Sequence, residues 1–528
     1  MQSAGDANVS KDRWLYFAIS LSALFFLIFS YYSILRYESL NATGFDLGIY
    51  SSALNNAIHG GLFYTNLLNE SYLGNHFSPF MFVLVPFFYI YKHNATLLVL
   101  QAFFISFGAV PLYLTYRKVV LNDEYRKYSI FLILLYELSP ISTGLISFDF
   151  HLMALMPFFY LFALYFFISR RYVSFYLSIG AIVSLHAFFA IIVVFFIFSL
   201  YFARYMRRGL IKEIMKRKRR TIRVICGFIL SVTIPIVYLI FAEHLKSVIS
   251  GSSFSITGIG SLLIYLKNEF NISFTLNMLL LDHRTKIELL AITVLGGGFL
   301  ALLSPLALIP IIPYLLFSMF SGNSAYYLAG YQYTAMFSPM IFAGSVYGIK
   351  KVARKLKSAK YSGSGVKMVI VVFVLLICLV NFALSPISPE PVHVQNSNIT
   401  SISDFHVNRT SEALFLIRDN ISTSSLILTQ NNLYPQFSKF PDAYLLYSYT
   451  SVGDLSNLMS RNFTYVIADT YSFNYNHTDL VGISMKELVE KLSSSNYGFY
   501  FDEFGIIVLK YEYSGPQLMM VNGSLVYE

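Results

Sequence analysis

The residues WLYFAISLSALFFLIFSYYSILRY at positions 14–37 lead, after six further residues, into GFDLGIY at positions 44–50. The first stretch is apolar over more than the roughly 20 residues that a helix needs to cross a bilayer. It is too long for the core of a signal peptide and lacks a small-residue cleavage motif, so it predicts a retained first membrane span. Asp46 then places a carboxylate where this span should meet the water outside.

The whole chain has the composition of a membrane protein with many spans. It has 528 residues, of which 56% are hydrophobic and 12% are charged, whereas soluble domains contain roughly 25% charged residues. The apolar residues occur in long blocks rather than in amphipathic stripes. Cys226 and Cys378 both fall inside such blocks, which indicates small buried hydrophobic residues rather than a disulfide or a metal site.

The net charge of +10 has a distribution that indicates membrane topology. Many of the basic residues lie in two clusters, at 204–223 and 350–367, and both clusters separate apolar blocks. This pattern is typical of cytoplasmic loops, and the run 216–220 also suits contact with anionic lipid heads. We therefore predict a multi-pass protein of the cell membrane, surrounded by membrane lipids, with no nucleic-acid partner, a cytoplasmic N-terminus and an extracytoplasmic C-terminal domain.

The predicted fold class is an all-α polytopic bundle of about 11 transmembrane helices followed by an α/β domain. The eleven spans are expected at 14–36, 95–116, 128–147, 152–169, 172–186, 188–203, 223–242, 287–303, 306–320, 332–349 and 368–385. Residues 77–91 are apolar but short and contain Pro79 and Pro86, so we expect a re-entrant or interfacial helix there.

The chain divides into a transmembrane domain, 1–385, and a soluble domain, 386–528. The transmembrane domain has two large predicted outer loops, at 37–94 and 243–286. In the soluble part, strands are expected at 424–429, 465–468 and within 499–511, and helices at 411–418 and 485–492, which together indicate a small α/β domain. Ten Asn-x-Ser/Thr triplets fall on segments placed outside, as glycosylation acceptors should.

Ionisable residues from three distant segments should gather at the outer face. The first outer loop contains Asp46 and His76, the next outward turn contains Asp149 and His151, and a hairpin tip contains His186. Ionisable side chains at membrane depth are functional candidates because their burial is costly. His59 and Glu70 are further ionisable residues of the first outer loop.

Structural interpretations of the same residues stay open. Asp46 could cap a helix at 49–58, and Asp149 could cap the helix that starts near Leu152, because Asp is a favoured N-cap residue. His186 could be a hydrogen-bonded core histidine. A divalent metal ion could be bound by Asp149 and His151 together with His76 or His186, although two or three ligands make a weak signal.

Several motifs resemble those of one family. They are FDLGIY at 45–50, HGG at 59–61, NHFSP at 75–79, LLVLQ at 97–101, FDFH at 148–151, LSPL at 303–306, and YQY at 331–333 ahead of SP at 338–339. Through these motifs the chain resembles an uncharacterised prokaryotic membrane-protein family that groups with the GT-C glycosyltransferases. The resemblance runs from about residue 30 to 350.

The resemblance implies a GT-C-like fold and an inverting transfer reaction. The donor would be a sugar linked to polyprenyl phosphate, and the acceptor a lipid or a glycoprotein outside the cell. An acid in the first outer loop would act as general base, which matches Asp46, with Asp149 and His151 as further catalytic candidates. Donor or phosphate binding is expected of Arg36, His76, His186, Arg284, Lys286 and Tyr333, with Lys246 and Lys267 as further candidates on the outer face. Whether a divalent metal ion takes part is left open.

One motif departs from the family pattern. Ser184-Leu185-His186 stands where the family has a Lys-Glu-Asp-like triplet, so a possible second acid or metal ligand is missing. The departure keeps open a non-catalytic assembly subunit. A transporter or flippase of a lipid-linked substrate is also left open, because Glu137 lies within a span and prolines interrupt several spans at Pro140, Pro235, Pro305, Pro310 and Pro313.

Overall fold

A computed structural model describes most of the chain. The described residues are 12–121, 123–206, 218–251, 277–297, 299–358, 364–389, 399–446, 461–477 and 483–528. Much of the first basic cluster and most of the predicted outer loop 243–286 therefore lie outside the described residues. The described part is mainly helical, with a β-sheet confined to its C-terminal region apart from one short hairpin.

Four helical stretches have the length and apolar composition needed to cross a membrane. They are Arg13–Glu38, Asn94–Val119, Tyr125–Ser147 and Cys226–Ser250. The last of these belongs to the longer helix Lys218–Ser250. Other helices in this part are Ile49–Ile58, Tyr72–Asn75, Met81–Ile90, Met156–Ile168, Tyr172–Leu185, Phe189–Met206, His283–Gly296, Pro305–Leu308, Ile312–Met319, Ser338–Ser358 and Ser364–Ala383. Each of the eleven predicted spans overlaps helical residues, and the number of crossings stays a prediction.

Two of the predicted spans each consist of two helices. The stretch expected at 95–116 consists of Asn94–Ser106 and Ala109–Val119, and the stretch expected at 128–147 consists of Ser129–Leu138 and Pro140–Ser147. In the second case Ser139 is extended, because a residue that precedes proline is disfavoured in the helical conformation. At each break the chain changes direction but stays within the bundle, because the helices on both sides of the break are largely buried.

The C-terminal region contains a seven-stranded sheet in the order β4-β3-β5-β7-β6-β8-β9. The strands are β3 (Ile427–Thr429), β4 (Ala443–Leu445), β5 (Tyr465–Asp469), β6 (Tyr497–Glu503), β7 (Ile506–Tyr511), β8 (Leu518–Val521) and β9 (Ser524–Tyr527); the short hairpin elsewhere pairs β1 (Tyr64–Thr65) with β2 (Glu70–Ser71). Strands β3, β4 and β5 are parallel, and β7 runs antiparallel to β5.

Two helices accompany this sheet, Arg409–Asn420 and Met485–Ser493. Both overlap the helices that the sequence predicts, at 411–418 and 485–492. The second begins with a capping box in which Ser484 and Glu487 satisfy each other's backbone N–H groups, and it buries one apolar face against the sheet. Local sequence signals are therefore sufficient for these elements.

The C-terminal domain packs directly on the segment that follows the first helix. The backbone N–H of Gly44 donates to the carbonyl of Asn431 at 2.8 Å and to its side-chain oxygen at 2.9 Å. The Tyr37 hydroxyl donates to Gln436 at 2.9 Å. The side-chain amide of Asn94 is buried and donates to the carbonyl of Pro435 at 2.6 Å, so this Asn-x-Ser/Thr triplet has a packing role in the folded protein rather than that of a glycan acceptor.

Candidate active site

Asp46 lies in a single π-helical turn, Gly44–Gly48, immediately ahead of the helix Ile49–Ile58. Gly48 is the N-cap of that helix, so the alternative in which Asp46 caps it is wrong. The two glycines make room for Tyr434 of the C-terminal domain. A Cβ atom on Gly48 would lie 2.6 Å from Cδ1 of Tyr434, and one on Gly44 would lie 3.1 Å from its Cβ.

Gly48→Ala is therefore expected to destabilise the contact between this turn and the C-terminal domain by about 1–3 kcal/mol, the usual cost of overpacking a buried site. Tyr434 is fully buried and has little room to move. A lower unfolding temperature of the purified protein would show the effect. Gly180→Ala is the matched control, because nothing lies within 4 Å of a Cβ atom there; equal changes in the two variants would contradict the explanation.

Asp149 forms a buried ion pair with Arg36, which lies in the last turn of the first helix. Its second oxygen accepts hydrogen bonds from Thr43, from the backbone N–H at 2.8 Å and from the hydroxyl at 2.5 Å. Asp149 does not cap the following helical turn, as one alternative had it, because the side chain of His151 occupies the N-cap position. The ion pair fixes the end of the first helix against the turn that contains Asp149.

His151 faces Asp46 from across the site. Its Nε2 atom lies 3.8 Å from Oδ1 of Asp46, and its Nδ1 atom accepts a hydrogen bond from the backbone N–H of Met153 at 3.1 Å. The hydrogen of the neutral ring is therefore on Nε2, on the side of Asp46. Gln101 holds this segment in place: its side chain accepts from the backbone N–H of His151 at 2.8 Å and donates to the carbonyl of Asp149 at 3.3 Å.

The surroundings of Asp46 favour its protonated form. Burial raises its pKa to about 8, and the negative charge of Asp149 adds to the shift, while Arg36 opposes it. The side chain is nevertheless 22% exposed, so a ligand can reach the carboxyl group. Burial lowers the pKa of His151 to about 3, so this ring is neutral at physiological pH.

His76 and His186 extend the site on the other side of His151. Their rings lie 5.1 Å apart, and the ring of His76 is 5.8 Å from that of Tyr72. The Tyr72 hydroxyl bonds to that of Tyr50 at 2.6 Å, and the Tyr50 ring lies 5.4 Å from His151. Burial lowers the pKa of His76 to about 4, and the positive charge of Lys246 lowers it further.

The histidine cluster does not fit a metal ion. Within the part of the chain that the structure describes, no group of three or more His, Cys, Asp or Glu residues is arranged to hold one. Of the candidate ligands, Asp149 is occupied by Arg36 and Thr43, and the Nδ1 atoms of His151 and His186 accept backbone hydrogen bonds. The residues instead present neutral N–H donors.

The structure separates two of the predicted phosphate ligands from this cluster. Arg284 is exposed near the start of the helix His283–Gly296. The Lys286 ammonium donates to the carbonyls of Met278 and Ser321, at 2.6 and 3.3 Å. Among the described contacts, none joins Arg284 or Lys286 to Asp46 or to the histidines, and their roles stay predictions.

Tyr333 lies nearer to the cluster. It is close enough to Asp46 to be affected by the charge of that residue, and its ring lies 4.7 Å from that of Tyr326. Tyr331, which the sequence analysis did not select, is placed in the same way: its ring lies 4.7 Å from that of Phe148, and its pKa is raised by burial and by the charge of Asp46. Both tyrosines belong to the YQY motif, and this motif was the sequence signal that could have identified Tyr331.

Sequence reasoning also missed Thr43 and Gln101 as parts of the site. Thr43 was interpreted only as the third residue of the triplet that begins at Asn41, although its hydroxyl holds Asp149. Gln101 ends the LLVLQ motif, and its two hydrogen bonds connect the segments of Asp149 and His151. Lys246, a candidate for phosphate binding by its charge, lies close enough to His76 and His186 to affect both.

Membrane-length helices, a buried ion pair and a partly exposed carboxyl group at one end of the bundle define a membrane protein with a candidate polar site. The chain belongs to the family described as predicted membrane protein (DUF2079), whose model matches residues 36–508. The match begins at Arg36 and includes Asp46, Asp149, His151 and most of the C-terminal sheet. No curated protein matches the chain.

Proposed function

We propose that this protein is a GT-C-type inverting glycosyltransferase. It transfers a sugar from a polyprenyl-phosphate-linked donor to a lipid or protein acceptor at the outer face of the cell membrane. The observation that carries the proposal is the partly exposed Asp46 carboxyl group opposite Nε2 of His151, beside an ion pair that occupies Asp149 and Arg36. The class of reaction is supported by the resemblance of the surrounding motifs to an uncharacterised family that groups with the GT-C glycosyltransferases.

Asp46 acts as the general base of this reaction. Its carboxylate accepts the proton of the acceptor hydroxyl as the hydroxyl oxygen attacks the anomeric carbon of the donor sugar. The bond between that carbon and the phosphate oxygen breaks, and polyprenyl phosphate leaves with the electron pair. The neutral Nε2–H of His151 faces the carboxylate from 3.8 Å, and the pair Arg36–Asp149 with Thr43 fixes the turn that carries it.

The leaving phosphate fits the side of the site that contains His76, His186 and Lys246. Neutral imidazole N–H groups donate hydrogen bonds without requiring a counter-ion, and an ammonium group strengthens the binding of an anion. Lys246 lies close enough to affect both histidines, and it pairs with Glu243 at 3.9 Å. Arg36 is a positioning residue in this scheme, because Asp149 already neutralises its charge.

A reconstituted transfer assay tests the proposal. The purified protein in lipid vesicles is incubated with a polar-lipid extract from the native cells, and the products are analysed by mass spectrometry. A transferase releases polyprenyl phosphate and adds the mass of one sugar to an acceptor. A flippase changes the side of the membrane on which the lipid lies without changing any mass, so an unchanged mass spectrum in sealed vesicles would contradict the proposal.

The pKa of Asp46 gives this reaction a specific pH dependence. A carboxyl group with a pKa raised to about 8 is deprotonated to roughly one tenth at pH 7 and to roughly nine tenths at pH 9, so the base becomes available as the pH rises. The initial rate is expected to increase about tenfold between these values. The rate of a variant without this carboxyl group should lack the rise; a rate that falls over the same interval would contradict the role of Asp46 as base.

A substitution of Glu137 distinguishes the proposed transferase from the transporter alternative. Its side chain is buried in the helix Ser129–Leu138, where one oxygen accepts a hydrogen bond from Ser22 at 3.4 Å. Glu137→Gln keeps the shape and the accepting oxygen, so the rate of sugar transfer in the assay is expected to stay unchanged. Proton-dependent uptake of a lipid-linked substrate that is lost in Glu137→Gln would favour a transporter.

A further inference from the structure

A pocket of about 390 Å³ lies where the segment 39–43 meets the C-terminal domain. One wall comes from the chain between the first helix and Asp46, including Asn41 and Thr43. The opposite wall comes from the start of the helix Arg409–Asn420 and from loops that follow β3 and β5. The pocket therefore belongs to both parts of the protein and adjoins the site of Asp46.

The floor of the pocket lies at the carboxyl ends of two neighbouring parallel strands. Asn432 follows β3, and Asp469 is the last residue of β5. In sheets with parallel strands, ligands bind preferentially in the crevice outside these strand ends. The pocket thus occupies a place where such folds are suited to bind small molecules, although the sequence gives no phosphate-binding loop there.

The polar groups of the floor are fixed by one another. Asp469 accepts hydrogen bonds from the side-chain amide of Asn432 at 2.9 Å and from the backbone N–H of Tyr471 at 3.0 Å. The Asn432 side-chain oxygen is buried and, within the described residues, has no hydrogen-bond partner. A buried acceptor without a partner is costly, and a ligand hydroxyl group would satisfy it.

Two exposed aromatic side chains stand at the rim. Tyr471 is 76% exposed and Phe473 is 74% exposed, so both rings are accessible to a ligand in the pocket. Tyr471 packs against Gly505, where a Cβ atom would lie 2.4 Å from the ring. Gly505 has a φ of +82°, so the turn both requires glycine and supports one edge of the tyrosine ring.

We propose that this pocket binds a neutral sugar. The hydroxyl groups bond to Asp469 and Asn432, and the apolar face of the ring lies on Tyr471 or Phe473. Among the described residues that line the pocket, Asp469 is the one charged side chain, so the lining suits hydroxyl groups rather than phosphate or another anion. The pairing of donors and acceptors with an aromatic surface matches the two faces of a pyranose.

The use of this bound sugar rests on the proposed function. Thr43 lines the pocket, donates to Asp149, and stands three residues before Asp46. A sugar in the pocket therefore belongs to the acceptor, whose next hydroxyl group extends toward Asp46. The binding itself does not depend on catalysis, because none of the proposed contacts in the pocket involves Asp46.

Saturation-transfer NMR on the full-length purified protein tests this inference. The probes are methyl glycosides of glucose, galactose, mannose and N-acetylglucosamine, with methyl glucuronide as an anionic comparison. Intact mass is measured first, so that a glycan already attached at Asn41 is not counted as bound ligand. We expect at least one neutral glycoside to bind and the glucuronide to bind more weakly.

Substitutions in the pocket test whether the glycoside binds there. Tyr471→Ala and Phe473→Ala should weaken it, about tenfold for the ring that carries the sugar, and Asp469→Asn should also weaken it. Tyr527→Ala removes an aromatic ring that is 59% exposed and lies outside the pocket lining in the same domain, and it should have no effect. Binding of no neutral glycoside, or unchanged binding after both aromatic residues are replaced, would overturn the inference.

The result is separable from that of the transfer reaction. Asp46→Asn should bind the glycoside as the wild type does. If the glycoside binds but Asp46→Asn still transfers sugar, the pocket is a sugar-binding site and Asp46 is not the general base. If transfer depends on Asp46 but no neutral glycoside binds, the proposed function stands and the pocket has been misassigned.

Discussion

Asp46→Asn is expected to lower the initial rate of sugar transfer by roughly 10²–10⁴-fold, the usual contribution of a general base. Asparagine has the shape of aspartate but cannot accept the proton of the acceptor hydroxyl at neutral pH. Nε2 of the neutral His151 ring lies 3.8 Å from the Asp46 carboxyl group, which is longer than a hydrogen bond, so the substitution breaks no hydrogen bond to this ring. The reconstituted vesicle assay measures the rate.

Asp419→Asn is the matched control for this variant. It makes the same chemical change at a side chain that is 65% exposed and pairs with Arg418 on the surface of the C-terminal domain. Its rate should equal that of the wild type. If Asp46→Asn and Asp419→Asn both retain the full rate, the proton is accepted elsewhere, and the assembly-subunit alternative gains support if no variant of this chain affects the rate.

Asp149→Ala is expected to destabilise the protein by about 3–5 kcal/mol, because it leaves the charge of Arg36 buried without its partner. The two side chains are 0% and 10% exposed, so water cannot replace the lost contact. Thr43 also loses the acceptor of two hydrogen bonds. The unfolding temperature of the purified protein, measured in one detergent for all variants, reports the effect.

Two controls distinguish a lost charge partner from a lost side chain. Asp419→Ala removes an exposed pair and should change the stability by only about 0–1 kcal/mol. Replacing both members of the buried pair with apolar residues, Arg36→Met together with Asp149→Leu, should recover much of the loss, because no buried charge then remains unpaired. A double variant that is less stable than Asp149→Ala would contradict this explanation.

The sequence predicts the helices well because their signal is local. Long apolar blocks and prolines placed the helical segments and the break at Pro140 within a few residues, and the helices and longer strands of the C-terminal domain follow the same rule. The strands Ala443–Leu445, Leu518–Val521 and Ser524–Tyr527 were missed, because so few residues have no clear period. The short parallel pairing of β3 with β4 depends on tertiary contacts.

The candidate site was predicted only where charge stood out against apolar surroundings. Asp46, Asp149 and His151 were found in this way, and the structure brings them together. The ion pair of Arg36 with Asp149 joins residues 113 positions apart, so its partner could not be inferred from spacing. Arg284 and Lys286 were selected by charge and topology alone, which do not specify the contacts that Lys286 makes with backbone carbonyls.

The packing of the turn that contains Asp46 against the C-terminal domain was also not predictable from the sequence. Gly44 and Gly48 carry no local signal for a distant contact, but in the structure they permit the close approach of Tyr434. That contact joins positions almost 400 residues apart in the chain. The same long-range packing creates the pocket between Thr43 and Asp469, for which no local motif exists.

The most direct measurement is mass spectrometry of polyprenol-linked sugars and surface glycoproteins in a strain that lacks this protein. The strain is complemented with the wild type, with Asp419→Asn or with Asp46→Asn. We expect the deletion to shorten one glycan by a single sugar, which the wild type and Asp419→Asn restore and Asp46→Asn does not. Restoration of the full glycan by Asp46→Asn, or no glycan change on deletion, would contradict the proposed role of Asp46.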